Sequence, residues 1–415
     1  MRKKRFRKKI KSNPELSKLL TPFEDVPDIE LNAQQKDTLE KLRDWWYNGT
    51  SQTFEISGAA GTGKTTLIKY LIKELKLYKE EVLFTAYVGK ATLAMTRSGV
   101  TAKTIHSAIT YATDEFKYDD NGEKILIYGR AARKKKFVKR PYLDQRIKLI
   151  VVDEGSMVPE KLAEWLLSYR IPIIVLGDLN QLPPVAGTSV FLKKPDAVLT
   201  EIMRQASDSP IPYFAQFILK NGPRLKPGYI GDKIKIIRRD LLTDDILQSA
   251  DVVICGRNKT RDMLNKYIRE NIFGRTNEIP VIGDKLICRE NDWSRCIDED
   301  YYLINGLIGY VVDIDLETIS KDSMVLDFKP DFLDECFKNV VLDRVFMKLT
   351  PQEKKYYKTD FTKFEYGYAI TCHLSQGSQY NKVVVFYEFM HDYEYATKWL
   401  YTAVTRAIDE LIVVI

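Results

Sequence analysis

Phe54-Glu-Ile-Ser57-Gly58-Ala-Ala-Gly-Thr-Gly63-Lys64-Thr65-Thr66-Leu-Ile-Lys-Tyr-Leu-Ile-Lys-Glu-Leu75 is the stretch on which the fold turns. Phe54–Ser57 alternates as a buried strand does, and the residues after Thr65 carry apolar side chains at helical spacing. Between them, Gly58 to Thr65 fits the phosphate-loop pattern at every fixed position. The glycines let successive backbone N–H groups point into one concavity, at a helix N-terminus whose dipole favours anions. Lys64 is the reach to the β- and γ-phosphates, and the Thr65 hydroxyl is a magnesium ligand. The bland alternative is a glycine-rich turn that binds nothing, and a full match set between strand and helix argues against it. The expected ligand is a nucleoside triphosphate. Its candidate contacts are Gly58, Ala59, Ala60, Gly61, Thr62, Gly63, Lys64, Thr65 and Thr66.

A second half of such a site follows. Lys148-Leu-Ile-Val-Val-Asp153-Glu154 is an apolar strand ending in two carboxylates. Asp153 suits the magnesium shell, and Glu154 is placed to accept a proton from an attacking water. An adjacent acid pair favours hydrolysis over simple binding. Pro172-Ile-Ile-Val-Leu-Gly177 is a third buried strand, running into Asp178-Leu-Asn-Gln181-Leu-Pro-Pro-Val185. Ligands of parallel sheets gather beyond strand C-termini. Gln181 therefore either orients water at the γ-phosphate or is a polar turn residue ahead of two prolines.

Composition sets the frame. A chain of 415 residues exceeds one compact core, so about two to four domains are expected. With 45% hydrophobic and 29% charged residues it reads as ordinary soluble protein, without an apolar run of bilayer length or an apolar signal segment. The five cysteines, Cys255, Cys288, Cys296, Cys336 and Cys372, show no CxxC pairing and suit a reducing cytoplasm. The net charge of +7 is unevenly spread. Arg2–Lys11 is almost entirely basic, and Arg130-Ala-Ala-Arg-Lys-Lys-Lys-Phe-Val-Lys-Arg140 forms a second block. The first reads as a solvated tail with non-specific nucleic-acid attraction. The second is a phosphate-contacting segment or a solvated surface loop.

The phosphate loop, Asp153-Glu154-Gly-Ser156-Met157 and Gly177-Asp-Leu-Asn-Gln181-Leu-Pro-Pro together resemble motifs I, II and III of superfamily 1 helicases, and most of all the RecD-like branch with its phage Dda type. The resemblance runs from about residue 31 to 410. Leu31-Asn-Ala-Gln-Gln35 resembles the Q motif, which makes Gln35 the adenine reader. Phe84-Thr-Ala-Tyr-Val-Gly-Lys90-Ala resembles motif Ia, although Tyr87-Val88 replaces the frequent Pro-Thr. Thr104-Ile-His106-Ser107 is similar to the family's backbone-touching Thr-Ile-His motif. Leu199-Thr-Glu-Ile-Met-Arg204-Gln205 resembles motif IV, and Leu400-Tyr401-Thr-Ala-Val-Thr405-Arg406-Ala407 motif VI, implying arginine fingers at Arg204 and Arg406. Gly367-Tyr-Ala-Ile-Thr371-Cys-His373-Leu-Ser375-Gln376-Gly377 resembles motif V, with Leu374 where a lysine is common. A guanidinium pairs bidentately with the oxygens of a departing phosphoryl group. Supplied from a second domain, it makes hydrolysis depend on closure.

The expected architecture is α/β: two RecA-like parallel-sheet domains, each with a small β insertion. The first comprises 22–108 and 141–207, behind a basic tail at 1–21. Its insertion, 109–140, contains a hairpin with Asn121-Gly122 as a two-residue turn. The resemblance makes that hairpin a pin that splits the duplex, with Phe116, Tyr118, Ile127 and Tyr128 near the first base pair; a hairpin packed on its own host is the alternative. The second domain comprises 208–294 and 363–415 around an SH3-like insertion at 295–362. Asp251-Val-Val-Ile-Cys255 leads to Asn258, Lys259 and Thr260, small polar and basic residues suited to phosphates, with a helix from about Asp262. Thr104, His106, Thr371 and His373 join them on the expected strand track, and His391 reads as structural.

The resemblance implies an ATP- and Mg2+-dependent helicase moving 5′ to 3′ on single-stranded DNA and unwinding forked duplexes in replication or recombination. A cytoplasmic monomer, in the host cytoplasm if phage-encoded, is expected, with replication or recombination proteins as partners and no membrane. Two other readings stand beside it. One is a nucleic-acid-stimulated ATPase that remodels protein–DNA complexes without strand separation. The other, a small-molecule P-loop kinase, gives no use to Gln35, Gln181 and Arg406.

Overall fold

The computed structural model describes residues 30–59, 61–97, 99–116, 123, 126–127, 130–131, 133–183, 190–203, 209–297, 301–388 and 390–415. Ala60, Tyr118, Asn121-Gly122, Tyr128, Arg204 and the basic segment Arg2–Lys11 lie outside the described residues.

Helix α1 (Ala33–Asn48) opens on a capping box in which the Asn32 side chain accepts from the Gln35 backbone and the Gln35 side chain from the Asn32 backbone. Strand β1 (Thr53–Gly58) and α2 (Lys64–Glu74) flank the glycine loop. Next come β2 (Val82–Ala86), α3 (Gly89–Arg97), β3 (Ala102–Thr104) and the short α4 (Ile105–Ile109). The chain then leaves the sheet through β4 (Thr110–Phe116), β5 (Leu126–Ile127), β6 (Arg130–Ala131) and β7 (Arg133–Lys139). It returns as β8 (Leu149–Asp153), β9 (Ile173–Gly177) and β10 (Ala197–Leu199).

The first lobe is one six-stranded sheet, ordered β10-β1-β9-β8-β2-β3 and parallel throughout. Both of its faces are covered, which is why β8 and β9 read as continuous apolar runs. Alternate residues feed opposite cores. Leu149, Val151, Ile174 and Leu176 pack with α1 and α2, whereas Ile150, Val152, Ile173 and Val175 pack with α4 and Leu162 and Leu166. On α2, Leu67, Ile68, Leu71 and Ile72 are wholly buried. Each such aliphatic side chain stabilises the lobe by roughly 1.5–3 kcal/mol. Parallel strands put every carboxyl end at one edge, so the glycine loop, Gly89, Thr104, Asp153 and Asp178 all emerge there.

The second lobe begins with α5 (Pro210–Asn221), β11 (Gly228–Ile230), β12 (Ile234–Ile237), β13 (Val252–Cys255) and α6 (Asn258–Tyr267). A β-rich excursion holds β14 (Lys285–Cys288), β15 (Asp292–Ile297), β16 (Tyr301–Leu303), β17 (Ile308–Asp315), β18 (Ser323–Pro330), β19 (Phe337–Asp343) and β20 (Phe364–Tyr366). The lobe closes with β21 (Ala369–Thr371), α7 (Cys372–Ser375), β22 (Tyr380–Phe386), α8 (Tyr393–Val404) and β23 (Ala407–Val414). Its sheet runs β11-β12-β23-β22-β13-β21, parallel except for the β11–β12 pair. Two RecA-like lobes are therefore present.

Three sequence expectations change. The insertion boundary widens: β14 and β20, expected in the second lobe, pair with each other and build the antiparallel sheet β19-β18-β17-β14-β20. Both are short apolar runs, and period alone cannot assign such a run to one sheet or another. The hairpin is wider than an Asn-Gly turn predicts, because Phe116 pairs with Arg133 and a second small ladder joins Ile127 to Arg130. The basic residues 133–139 are thus a strand, not a loop. Helix α6 starts at Asn258 rather than Asp262, so Asn258, Lys259 and Thr260 occupy its first turn.

Candidate nucleotide cleft and nucleic-acid track

The glycine loop is held from three sides. Gly63 caps α2 at φ +76°, and a Cβ there would lie 2.6 Å from the Gln35 amide nitrogen. That amide donates to the Thr62 carbonyl (3.1 Å), and the Gln35 oxygen accepts from the Asn32 N–H (3.1 Å). Gln35 is wholly buried. Both ends of its side chain bond to protein, so Gln35 braces the loop. The Thr62 hydroxyl donates to the Ala59 carbonyl (2.9 Å), and the Met203 N–H donates to Gly61 (3.0 Å). The Lys64 ammonium donates to the Gly58 and Ala59 carbonyls (2.6 and 3.1 Å), folding back over the concavity. Thr65 and Thr66 follow in the first turn of α2, half-buried.

Asp153 and Glu154 leave the end of β8, two strands away from β1. Glu154 has φ +51°, a left-handed conformation that costs a non-glycine residue energy and that clusters at functional sites. Its N–H donates to the Asp153 carboxylate (2.8 Å). Burial raises the Asp153 pKa, opposed by the Lys64 charge and the Glu154 N–H. Burial, then the Asp153 charge, pushes Glu154 up to about 6, while Arg406 and Lys64 pull it back. The electrostatics thus join three elements: loop lysine, acid pair, and an arginine from the second lobe.

Arg406 is 3% exposed. Its Nε donates to the Thr402 carbonyl (3.0 Å), Nη1 to the Ser378 carbonyl (3.2 Å) and Nη2 to the Thr405 hydroxyl (3.1 Å). The turn after β9 reaches across to the same region. Asp178 accepts from the Tyr401 hydroxyl (2.5 Å), the Leu182 N–H donates to the Thr402 hydroxyl (2.9 Å), and the Leu182 carbonyl accepts from Gln376 (2.9 Å). Leu182 itself is buried in the second lobe's core, beside Phe214, Ile218 and Trp399. Gln181 is 8% exposed, and its side-chain oxygen is buried without a partner, as are the Ser156 and Ser378 hydroxyls.

On the expected strand track, Thr104 caps α4, accepting from the Ser107 N–H (3.2 Å). Thr104, Ser107, Lys103 and Arg140 line a cavity of about 160 Å³, whose opposite wall is apolar and aromatic, with Tyr301, Tyr302 and Phe332 of the insertion. His106 points elsewhere: its ring lies between Tyr87 and Phe137 (6.3 and 6.1 Å between centroids), and burial lowers its pKa. His106 therefore anchors the base of the hairpin, a packing role that the motif did not reveal. Phe116 lies on β4.

In the second lobe, Cys255 and Thr371 are in register, which brings the α6 N-terminus beside α7. Thr371 is buried and His373 half-buried, its pKa lowered by burial. Asn258 and Lys259 are exposed. Thr260 is not available for a phosphate, because its hydroxyl donates to Glu388 (2.6 Å), which also accepts from the Gly256 and Arg257 N–H groups (2.7 and 2.9 Å). Glu388 fills the anion site of that helix start. The only sequence signal for it was a lone carboxylate shortly after a buried strand.

A phosphate loop and acid pair on one RecA-like lobe, with a buried arginine on the other, define a two-lobed P-loop fold. Comparison with known proteins agrees. Residues 48–187 match the AAA domain family and residues 366–414 the UvrD-like helicase C-terminal domain. The ATP-dependent RecD2 DNA helicase of Deinococcus radiodurans is 24% identical over 379 residues, covering 85% of this chain and 46% of the relative. The ATP-dependent DNA helicase Dda of phage T4 is 26% identical over 431 residues, covering 85% and 92%. The matches span less than half the length of the first curated relatives. A solved structure of Pif1 helicases, described for unwinding at forked duplex DNA, shares the fold with a TM-score of 0.52 at 17% identity, covering 93% of this chain and 92% of that one. Over most of its length the chain is thus similar to DNA helicases of the RecD2 and Dda type.

Proposed function

We propose that this protein is an ATP-driven motor that moves 5′ to 3′ along single-stranded DNA and unwinds forked duplexes. The carrying observation is the convergence of Lys64, Glu154 and Arg406, from two lobes, on one cleft. Glu154, raised toward neutrality, accepts the proton of the attacking water. Lys64 neutralises charge on the β- and γ-phosphates, and Arg406 stabilises charge spreading over the departing phosphoryl oxygens. Because Arg406 belongs to the second lobe, hydrolysis requires the lobes to stay closed. Gln181, with its unpaired oxygen, positions the water. Arg204 is the second proposed finger on the strength of its flanking sequence alone.

Magnesium fits the residues present: a threonine hydroxyl and a carboxylate are hard oxygen donors. Thr65 and Asp153 would hold the ion, which would neutralise phosphate charge. On the DNA side, Thr104, Asn258, Lys259, Thr371 and His373 remain the proposed contacts, joined by Lys103 and Arg140 at the cavity wall. The names of RecD2 and Dda as ATP-dependent DNA helicases support the reading. The hairpin, a seven-residue ladder at β4–β7, supports strand separation over remodelling without it.

The test is ATP hydrolysis without nucleic acid, with single-stranded DNA and with single-stranded RNA, followed by unwinding of duplexes bearing a 5′ or a 3′ tail. DNA-dependent stimulation and unwinding only from the 5′ tail are expected. Hydrolysis indifferent to DNA overturns the motor; unwinding only from the 3′ tail reverses the polarity.

A further inference from the structure

The segment Gln376–Tyr380 touches the first lobe and Arg406 at once. Gly377 has φ +73°, and a Cβ on it would lie 2.3 Å from the Val88 side chain, so the segment lies hard against the turn that begins α3. One residue on, the Ser378 carbonyl accepts from the Arg406 guanidinium (3.2 Å). Two further on, the Tyr380 N–H donates to the Arg406 backbone carbonyl (2.8 Å). Both the side chain and the backbone of Arg406 are thus held by one short segment. The Tyr380 hydroxyl accepts from the Lys90 ammonium across the lobe boundary (3.1 Å), and that ammonium lies 5.1 Å from the ring centroid. Tyr380 is 6% exposed and packed in the second lobe's core. A cation that both donates to the hydroxyl and lies against the ring of a buried tyrosine is a directional contact, stronger than an exposed pair.

We propose that Lys90 and Tyr380 are positioning residues: an interlobe contact through which α3 of the first lobe sets the place of Arg406 in the nucleotide cleft. The inference rests on the reading of Arg406 as the residue that acts on the phosphoryl group. Neither side chain touches the phosphate loop or the acid pair in any described contact. Moving Tyr380 moves the two carbonyl-linked holds on Arg406.

Lys90→Met keeps the aliphatic stem without the charge, Tyr380→Phe keeps the ring without the hydroxyl, and Lys90→Arg keeps a donor able to reach both. The measurements are kcat and KM for ATP, with and without oligo-dT, and ADP affinity by fluorescent-nucleotide titration. Each of the first two variants is expected to lower kcat about tenfold, the effect of one hydrogen bond expressed in the transition state, with ADP affinity within about twofold. The double variant is expected to match the worse single, and Lys90→Arg to recover most of the rate. Unchanged kcat, losses that multiply in the double variant, or ADP affinity falling in step with kcat would each overturn the proposal. A wild type unstimulated by oligo-dT removes the motor reading instead, and the comparison of variants at the basal rate still decides this one.

Discussion

At the scale of single residues, the cleft depends on conformations few side chains accept. Gly63 holds φ +76° against the Gln35 amide. Gly63→Ala combines a left-handed penalty of roughly 1–2 kcal/mol with that clash, so it is expected to weaken ADP binding at least tenfold; isothermal titration is the check. Glu154→Gln removes the proposed proton acceptor and keeps the shape. Its kcat for ATP should fall by about 10²–10⁴ while nucleotide affinity holds. Lys64→Ala should lower hydrolysis by at least about 10² through lost charge stabilisation. A Glu154→Gln enzyme with near-normal turnover would move the base elsewhere, and Gln181 would be the next position to substitute.

At the scale of elements, a charge network fastens the β insertion to the second lobe. Glu365 on β20 meets Arg261 of α6 (3.1 Å), Arg289 after β14 (3.1 Å) and Lys354 (2.6 Å). Burial raises its pKa, but Arg289, Arg261 and Lys354 outweigh burial and hold the carboxyl below its ordinary value. Removing one partner of a buried network leaves the others uncompensated, at about 3–5 kcal/mol. Glu365→Gln is therefore expected to melt several degrees lower at neutral pH. A depressed carboxyl contributes stability above its unfolded pKa of 4.5 and loses it as pH falls through the folded value. Wild-type stability should thus fall more steeply below pH 4.5 than that of the variant, as acid-unfolding curves will show. The hairpin is the other separable element. Replacing residues 113–136 with a short Gly-Ser turn leaves Phe137 against His106 and the ladder base between Thr110 and Lys139. Strand-stimulated ATP hydrolysis is expected to survive and forked-duplex unwinding to be lost; retained unwinding would take the hairpin out of strand separation.

At the scale of the whole molecule, the proposed mechanism divides catalysis between the lobes. Arg406 donates to three groups of its own lobe, and its charge lowers the pKa of Glu154 on the other. Contacts between the lobes include the Asp178–Tyr401 hydrogen bond, Leu182 in the opposite core, and Lys90 on Tyr380. Arg406→Lys keeps the charge without the planar fork, and arginines in this position carry about 10³–10⁵ in rate. Its kcat is expected to fall at least about 10³-fold with ADP affinity retained, measured by the same assay and titration. A smaller loss would mean that the guanidinium chiefly holds the Ser378–Thr402 corner together.

The phosphate loop, the acid pair and both parallel lobes were legible in the sequence, because each is built of local strand–loop–helix units whose spacing and glycines are fixed by backbone geometry. Gln35 was legible as a motif but not as the brace of the loop, since that depends on Thr62 carbonyl placement. What only the tertiary structure decided are pairings between residues far apart in the chain. Lys285–Cys288 and Phe364–Tyr366 joined the antiparallel sheet, Glu388 took the hydroxyl of Thr260, and His106 went to the hairpin base. Lys90 met Tyr380 across 290 residues. Short apolar runs and single polar side chains carry no record of their partners; only the packing of two lobes at a common edge brings them within hydrogen-bonding reach.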